Sequence, residues 1–316
     1  MRLLVTGGAG FIGSNFIHYW FARHPRDEIV NMDLLTYAAN LENLGGLERY
    51  RYDFIKGDIA DQESVGRAAK DVDVIVNFAA ESHVDNSIRD SAAFVRSNIV
   101  GVHALLEVAR RQDKRLHQVS TDEVYGSLPL NSRKRFTEDS AYMPHNPYSA
   151  TKAAADHLVR AYHNTYGMNV TISNCSNNYG PRQHREKLIP KAIVNAMNWR
   201  KIPIYGNGRM VRDWIYVEDH CSGIDAVLKK GEAGETYLIG SNNERHNIDV
   251  VRRILDILGS PHTLIEHVAD RPGHDVRYAI DPTKIRRELG WRPKHRFDEG
   301  LLKTVKWYCG RPRKPG

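Results

Sequence analysis

The stretch Thr6-Gly7-Gly8-Ala9-Gly10-Phe11-Ile12-Gly13 decides the fold. It follows Leu3-Leu4-Val5, a short apolar run that reads as a buried strand, and it opens an apolar-periodic segment over residues 11–21. It satisfies G-x-G-x-x-G from Gly8 and G-x-x-G-x-x-G from Gly7. Glycine here permits a tight turn, lets backbone N–H groups approach a pyrophosphate, and lets a helix pack closely on a strand. The helix N-terminus then turns partial positive charge toward the phosphates. Glycines alone are common turn punctuation, so the context matters. A second strand, Ile29-Val30-Asn31-Met32, ends at Asp33, 20 residues beyond Gly13. A carboxylate there accepts hydrogen bonds from ribose hydroxyls and repels a 2′-phosphate, which favours NAD over NADP.

The expected cofactor contacts are therefore Gly7, Gly10, Phe11, Ile12 and Gly13, then the turn Asp33-Leu34-Leu35-Thr36. Asp58 and Ile59, just after a third strand at Tyr52–Lys56, are placed to meet the adenine. Further strands are expected at 72–78, 117–120 and 170–173, and a long helix at 93–111. A second long helix runs from Pro147 to about Tyr166, with Asn146 as N-cap and proline in the first turn. Strands separated by helices imply βαβ units and an α/β fold, a doubly wound parallel sheet. After residue 177 the rhythm changes and proline and glycine become frequent. Residues 1–177 read as the dinucleotide-binding domain and 178–316 mainly as a smaller lobe for the second ligand. Tyr237-Leu238-Ile239 is able to return to the main sheet.

Composition narrows the class. Of 316 residues, 41% are hydrophobic and 26% charged, which excludes wholesale disorder. No apolar run is expected to approach the ~20 residues of a membrane span. The N-terminal residues lack a long apolar segment and cleavage site, so the cytoplasm is expected. Cys175, Cys221 and Cys309 lie far apart with no C-x-x-C, giving neither a disulfide framework nor a thiolate metal site. The net charge of +7 is spread along the chain without an aromatic-interleaved stripe, so no nucleic-acid partner is expected. The same charge suits a pyrophosphate-bearing ligand.

Two constellations carry chemistry. Tyr148 and Lys152 lie four apart on one predicted helix and share a face. A nearby ammonium favours phenolate, so such a tyrosine can take a hydroxyl proton as hydride leaves the same carbon. The strand ending at Ser120 delivers Thr121-Asp122-Glu123 beyond its carboxyl end, where doubly wound sheets bind ligands. Adjacent carboxyl groups serve as acid and base when their environments separate their pKa values.

Together these residues resemble the extended short-chain dehydrogenase/reductases. More narrowly, the segments at 77–85, 120–126, 147–152, 174–181, 186–190, 203–206, 212–214 and 270–275 resemble the dTDP-glucose 4,6-dehydratases. The resemblance implies that Tyr148, helped by Thr121 and Lys152, takes the C4 hydroxyl proton, Glu123 the C5 proton, and that Asp122 protonates the departing C6 hydroxyl. It places Ala79, Ala80, Ser97 and Asn178 near the nicotinamide. It places Ser82 at the hexose, with Asn177, Lys187 and Leu188 along the sugar diphosphate. Pro203, Ile204 and Tyr205 are implied at the nucleobase, and Arg212, Asn247, Arg271 and His274 around the diphosphate. A homodimer through the helices near 93–111 and 148–166 is also implied. Asn40 and Asn86 depart from the expected His and Arg. Two alternatives stay open: an NAD-dependent epimerase or decarboxylase of UDP-sugars, and a non-enzymatic nucleotide-sensing regulator on the same fold.

Overall fold

The computed structural model describes residues 1–310 except Glu48 and Arg271. Its strands are β1 (Arg2–Thr6), β2 (Glu28–Asp33), β3 (Tyr52–Lys56), β4 (Val74–Asn77), β5 (Arg115–Thr121), β6 (Val170–Cys175), β7 (Asn177–Tyr179), β8 (Ile202–Tyr205), β9 (Val211–Tyr216), β10 (Thr236–Ile239), β11 (Glu244–His246) and β12 (Ile265–Val268). Seven form one sheet in the order β10-β6-β5-β4-β1-β2-β3, and every pairing in it is parallel.

The strands are near-continuous apolar runs because both faces of the sheet are covered. Side chains alternate across it. Leu3, Val5, Val74 and Val76 pack with Phe16 and Trp20 on one face. Leu4 and Ile75 pack with Leu105, Val108 and Val159 on the other. The order reverses beside β1, which pairs with both β2 and β4, so a crevice opens at the carboxyl ends of these strands.

The first sheet does not stop at residue 177. β10 pairs parallel with β6, Leu238 opposite Asn174. Ile224 and Val227 from the helix Val217–Lys230, and Ile285 and Leu289 from Thr283–Leu289, join the cluster holding Leu3 and Val5. The remainder of the second half forms its own core, in which Ile189, Trp214, Val251 and Leu301 meet. That core supports the sheet β11-β9-β7 and the pair β12-β8.

Two helices frame the crevice. Pro147–Tyr166 begins with a capping box: Ser149 N–H donates to Asn146 Oδ1 at 2.9 Å, and Ser149 Oγ accepts from Asn146 N–H at 3.3 Å. The run Ala92–Arg111 has the length and mean hydropathy of a membrane span, 20 residues at 1.3, although its apolar residues are interrupted. Half of it is buried in the protein. Val102, Leu105, Leu106 and Val108 enter the core, as in a helix covering a parallel sheet.

Candidate active site

A cavity of about 440 Å³ lies over the carboxyl ends of β1, β2, β4 and β5. Its two ends are built differently.

At one end the walls are backbone. Gly7 has φ +72°, and a Cβ there would sit 2.6 Å from the Ala79 nitrogen, so no other residue makes this turn without strain. A Cβ on Gly13 would collide with the Gly7 carbonyl, which is why strand and helix approach so closely. Gly10 caps the helix Phe11–Arg23 without any side-chain hydrogen bond, leaving the first-turn N–H groups without a cap. A Cβ on Gly10 would meet only the Gly7 oxygen, at 3.2 Å. An uncapped helix start beside an open glycine fits a dinucleotide pyrophosphate. Asp33 closes this end. Its carboxylate accepts from Ala9 N–H at 2.9 Å and Leu35 N–H at 2.8 Å, while burial pushes its pKa up.

Gly7, Gly10, Phe11, Ile12, Gly13, Asp33, Leu34, Thr36, Asp58, Ile59, Ala79, Ala80, Ser97 and Asn178 all line the cavity. Leu35 does not: at φ +60° its side chain packs against the core beneath the sheet. Arg96, which sequence reasoning passed over, also lines the cavity and holds Asp58 at 2.7 Å. Its only sequence signal is its place beside Ser97.

At the other end the walls are side chains. β5 ends at Thr121, whose hydroxyl caps the short turn Asp122–Tyr125 by accepting from Glu123 N–H at 3.3 Å. The same hydroxyl donates to Asp122 Oδ1 at 3.4 Å. Asp122 is 1% exposed, and its Oδ2 has no hydrogen-bond partner among the described residues. Burial first, then the charges of Glu123 and Asp213, hold its carboxyl well above the usual range. A carboxyl so shifted holds its proton more tightly than an ordinary one, as a proton donor needs.

Tyr148 and Lys152 face the same cavity. Their electrostatics differ from the expectation that the ammonium draws the phenol down. Lys152 Nζ donates to the Val119 carbonyl at 2.8 Å, and burial lowers its pKa against the opposing pull of Asp156. Burial, followed by the Glu123 charge, raises Tyr148 well above a free phenol. The Thr121 hydroxyl pulls the other way. Behind Lys152, Asp156 accepts from Ser120 Oγ at 2.8 Å, Tyr142 Oη at 3.0 Å and Asn174 Nδ2 at 3.0 Å.

Of the residues expected at the substrate, Ser82, Thr121, Asn177 and Lys187 line this cavity, and Lys187 Nζ donates to the Ser82 carbonyl at 3.0 Å. The other described ones lie outside its lining. Leu188 packs against the second core, and Ile204 is buried inside it. Pro203 sits in β8. Tyr205 donates to Asp85 at 3.0 Å and meets the His274 ring edge-on, 5.9 Å between centroids. Asn247 starts the helix Asn247–Leu258 and has a buried, unpartnered Oδ1. Arg212 is buried, with its guanidinium 4.3 Å from the Tyr278 ring and bonded to the Asp275 carbonyl at 2.8 Å. Arg271 lies outside the described residues. Asn40 caps the turn Leu41–Leu44 by accepting from Glu42 N–H, and Asn86 hydrogen-bonds the Tyr37 hydroxyl.

Comparison with known proteins adds the family. The GDP-mannose 4,6 dehydratase family profile matches residues 4–304. The dTDP-glucose 4,6-dehydratase of Mycobacterium tuberculosis (strain CDC 1551 / Oshkosh) is 51% identical over 98% of this chain and 93% of its own. The chain belongs to this family of sugar-nucleotide 4,6-dehydratases. Within it, the crystal structure of DesIV, a dTDP-glucose 4,6-dehydratase from Streptomyces venezuelae with NAD and TYD bound, matches with a TM-score of 0.95. It is 47% identical and the match covers 98% of this chain and 97% of DesIV. The fold reaches beyond dehydratases. UDP-glucose 4-epimerase of Thermus thermophilus, in complex with NAD, matches with a TM-score of 0.91 at 29% identity, over 98% and 99% of the chains.

Proposed function

We propose that this chain dehydrates dTDP-glucose to dTDP-4-keto-6-deoxyglucose, a lyase reaction with NAD retained as a catalyst. The observation that supports it most is a buried Asp122 beside Glu123 in the cavity that also holds Thr121, Tyr148 and Lys152, with the Asp122 carboxyl held above its usual range by burial and the Glu123 charge. The residues Gly7, Gly10, Phe11, Ile12, Gly13 and Asp33 would hold NAD, with Asp58, Ile59, Ala79, Ala80, Ser97 and Asn178 along it. NAD, when bound, supplies the reversible hydride acceptor that oxidises C4 and later reduces C6. Tyr148, bonded to Thr121, would accept the C4 hydroxyl proton as its phenolate, a form that the positive charge of bound NAD would favour against burial and the Glu123 charge. Once C4 is a ketone, C5 is acidified and Glu123 removes its proton. Asp122 gives its own proton to the C6 hydroxyl, which leaves as water. Ser82 would position the hexose, Asn177 and Lys187 the sugar diphosphate, and Lys152 would serve Tyr148 and the cofactor.

The division of labour follows the fold. Residues 1–177 with the returning strand β10 serve the dinucleotide, and 178–316 mainly serve the sugar nucleotide. Pro203, Ile204, Tyr205, Leu188, Arg212, Asn247, Arg271 and His274 belong to that second half. Val95 and Val100 are exposed apolar residues on the helix 92–111, which supports a homodimer through this helix and the helix 147–166. A cytoplasmic setting agrees with the three free cysteines.

Incubation with dTDP-glucose, UDP-glucose and UDP-glucuronate, with products identified by NMR, tests the reading. The expected product is the 4-keto-6-deoxy sugar, formed fastest from dTDP-glucose. A C4 epimer as sole product overturns it.

A further inference from the structure

A set of residues outside the reaction above ties the two halves of the chain together at the mouth of the cavity. Ala39 N–H donates to the Thr36 carbonyl at 3.1 Å, which closes a tight turn with Tyr37 at its tip. Thr36, Ala38 and Ala39 line the cavity, whereas Tyr37 is 47% exposed. Its hydroxyl donates at 3.3 Å to Oε1 of Glu186, 149 positions away on the loop before Leu188. The Tyr37 ring also meets the His184 ring edge-on, 5.6 Å between centroids. His184, Glu186 and Lys187 line the same cavity.

Glu186 is held from several sides. Its Oε2 lies 3.5 Å from His184 Nδ1 and 3.8 Å from His83 Nε2. Burial opposes its ionisation, but the His184 hydrogen bond and the charges of His83 and Lys187 outweigh burial and hold the carboxyl below its ordinary pKa. Tyr37 therefore donates to a carboxylate. A phenol has one proton, and Glu186 takes it, so the Asn86 amide donates to the Tyr37 oxygen. The carbonyl of that amide is left for the His83 ring, which Asn86 also hydrogen-bonds. Asn86 thus fixes the tyrosine and one imidazole against the same carboxylate. Beside them, Lys187 Nζ reaches the Ser82 carbonyl at 3.0 Å.

We propose that Tyr37, Glu186 and Asn86 form a latch that closes the cavity mouth over bound NAD and limits how fast it enters and leaves. The inference rests on NAD as the cofactor and is independent of which sugar is dehydrated. The Thr36–Ala39 turn follows directly on Asp33 at the glycine end. A dinucleotide seated there leaves only when this turn and the 184–187 loop part, which breaks the bond between Tyr37 and Glu186. The reaction proposed above returns the hydride it borrows, so slow release of the cofactor keeps each cycle whole.

The test loads the full-length chain with NAD, removes free cofactor and mixes the complex with a large excess of NADH. Energy transfer from protein tryptophan to incoming NADH then reads the rate at which NAD leaves. Tyr37→Phe and Asn86→Ala should each speed release by about 3- to 10-fold. One mouth serves both directions, so NADH association with the chain stripped of NAD should quicken by a similar factor. Affinity then changes less than either rate. Faster release with unchanged association overturns the latch, because that is the signature of a lost contact with the cofactor itself. Release within about twofold of wild type in both variants also overturns it. Glu186→Gln keeps the shape, gives up the charge and decides the matter if either variant does not fold. A wild-type chain that gives no NADH signal sinks the cofactor reading first, an outcome distinct from a normal signal with unaltered rates.

Discussion

The two ends of the cavity contrast in how they are made. The glycine end is assembled from seven consecutive residues, Gly7 to Gly13, and what it offers is main-chain N–H and empty space. The acid end is assembled from side chains far apart in the chain: Thr121, Asp122 and Glu123 from one strand end, Tyr148 and Lys152 from a helix, Tyr278 from a segment 155 residues beyond Glu123. A site made of backbone is specified locally, whereas one made of side chains depends on the whole sheet bringing them together. The first tolerates few substitutions for steric reasons, the second for reasons of protonation.

The largest effect that separates the two ends is expected for Glu123→Gln. It should lower kcat by about 10²- to 10⁴-fold and abolish solvent deuterium incorporation at C5, while NAD affinity by fluorescence titration stays as in wild type. A parallel loss of NAD affinity would show that the ends are not independent. Gly7→Val is the reverse probe. A β-branched residue at φ +72° with its Cβ against Ala79 costs at least about 1–3 kcal/mol in strain, so NAD binding and thermal midpoint should fall together.

Asp122→Asn sharpens the contrast in another way. A carboxyl held above its unfolded pKa keeps a proton the unfolded chain releases, so its contribution to stability is lost as pH rises from the ordinary carboxylate range. The asparagine variant should be inactive yet melt about 2–4 °C higher than wild type at pH 8. The difference should vanish toward pH 4; a variant that melts lower at pH 8 breaks the argument. The smallest effect is expected at Asp33→Asn, where preference for NAD over NADP should shrink by about tenfold, read from the two binding constants.

Much of this was legible before any coordinates. The helix Pro147–Tyr166 matches its expected span because Asn146, Pro147 and Ser149 are a local start signal. The glycine turn, Asp33 and the strand run were legible for the same reason, since turns and caps depend on neighbours in sequence. Other placements were decided only by packing. Leu35 was expected at the cofactor, but a positive φ turns it into the core. Ile204 was expected at a nucleobase and is buried among Ile189 and Trp214. Lys152 was expected to draw Tyr148 toward phenolate, but its ammonium is engaged by the Val119 carbonyl. Tyr278 carried no signal at all, because its hydrogen bond to Glu123 exists only across the closed cleft.

Spacing along the chain was thus enough to place the glycine-rich strand–turn–helix, the carboxylate that ends the second strand, and an acid pair after the fifth strand. That the Asp122 carboxyl is held above its usual range came from burial, then from the charges of Glu123 and of Asp213, the latter 91 positions further along the chain. Local conformation is governed by steric rules a few residues long. A carboxyl's proton answers to every charge and every excluded water around it, and those are set only once the chain has closed on itself.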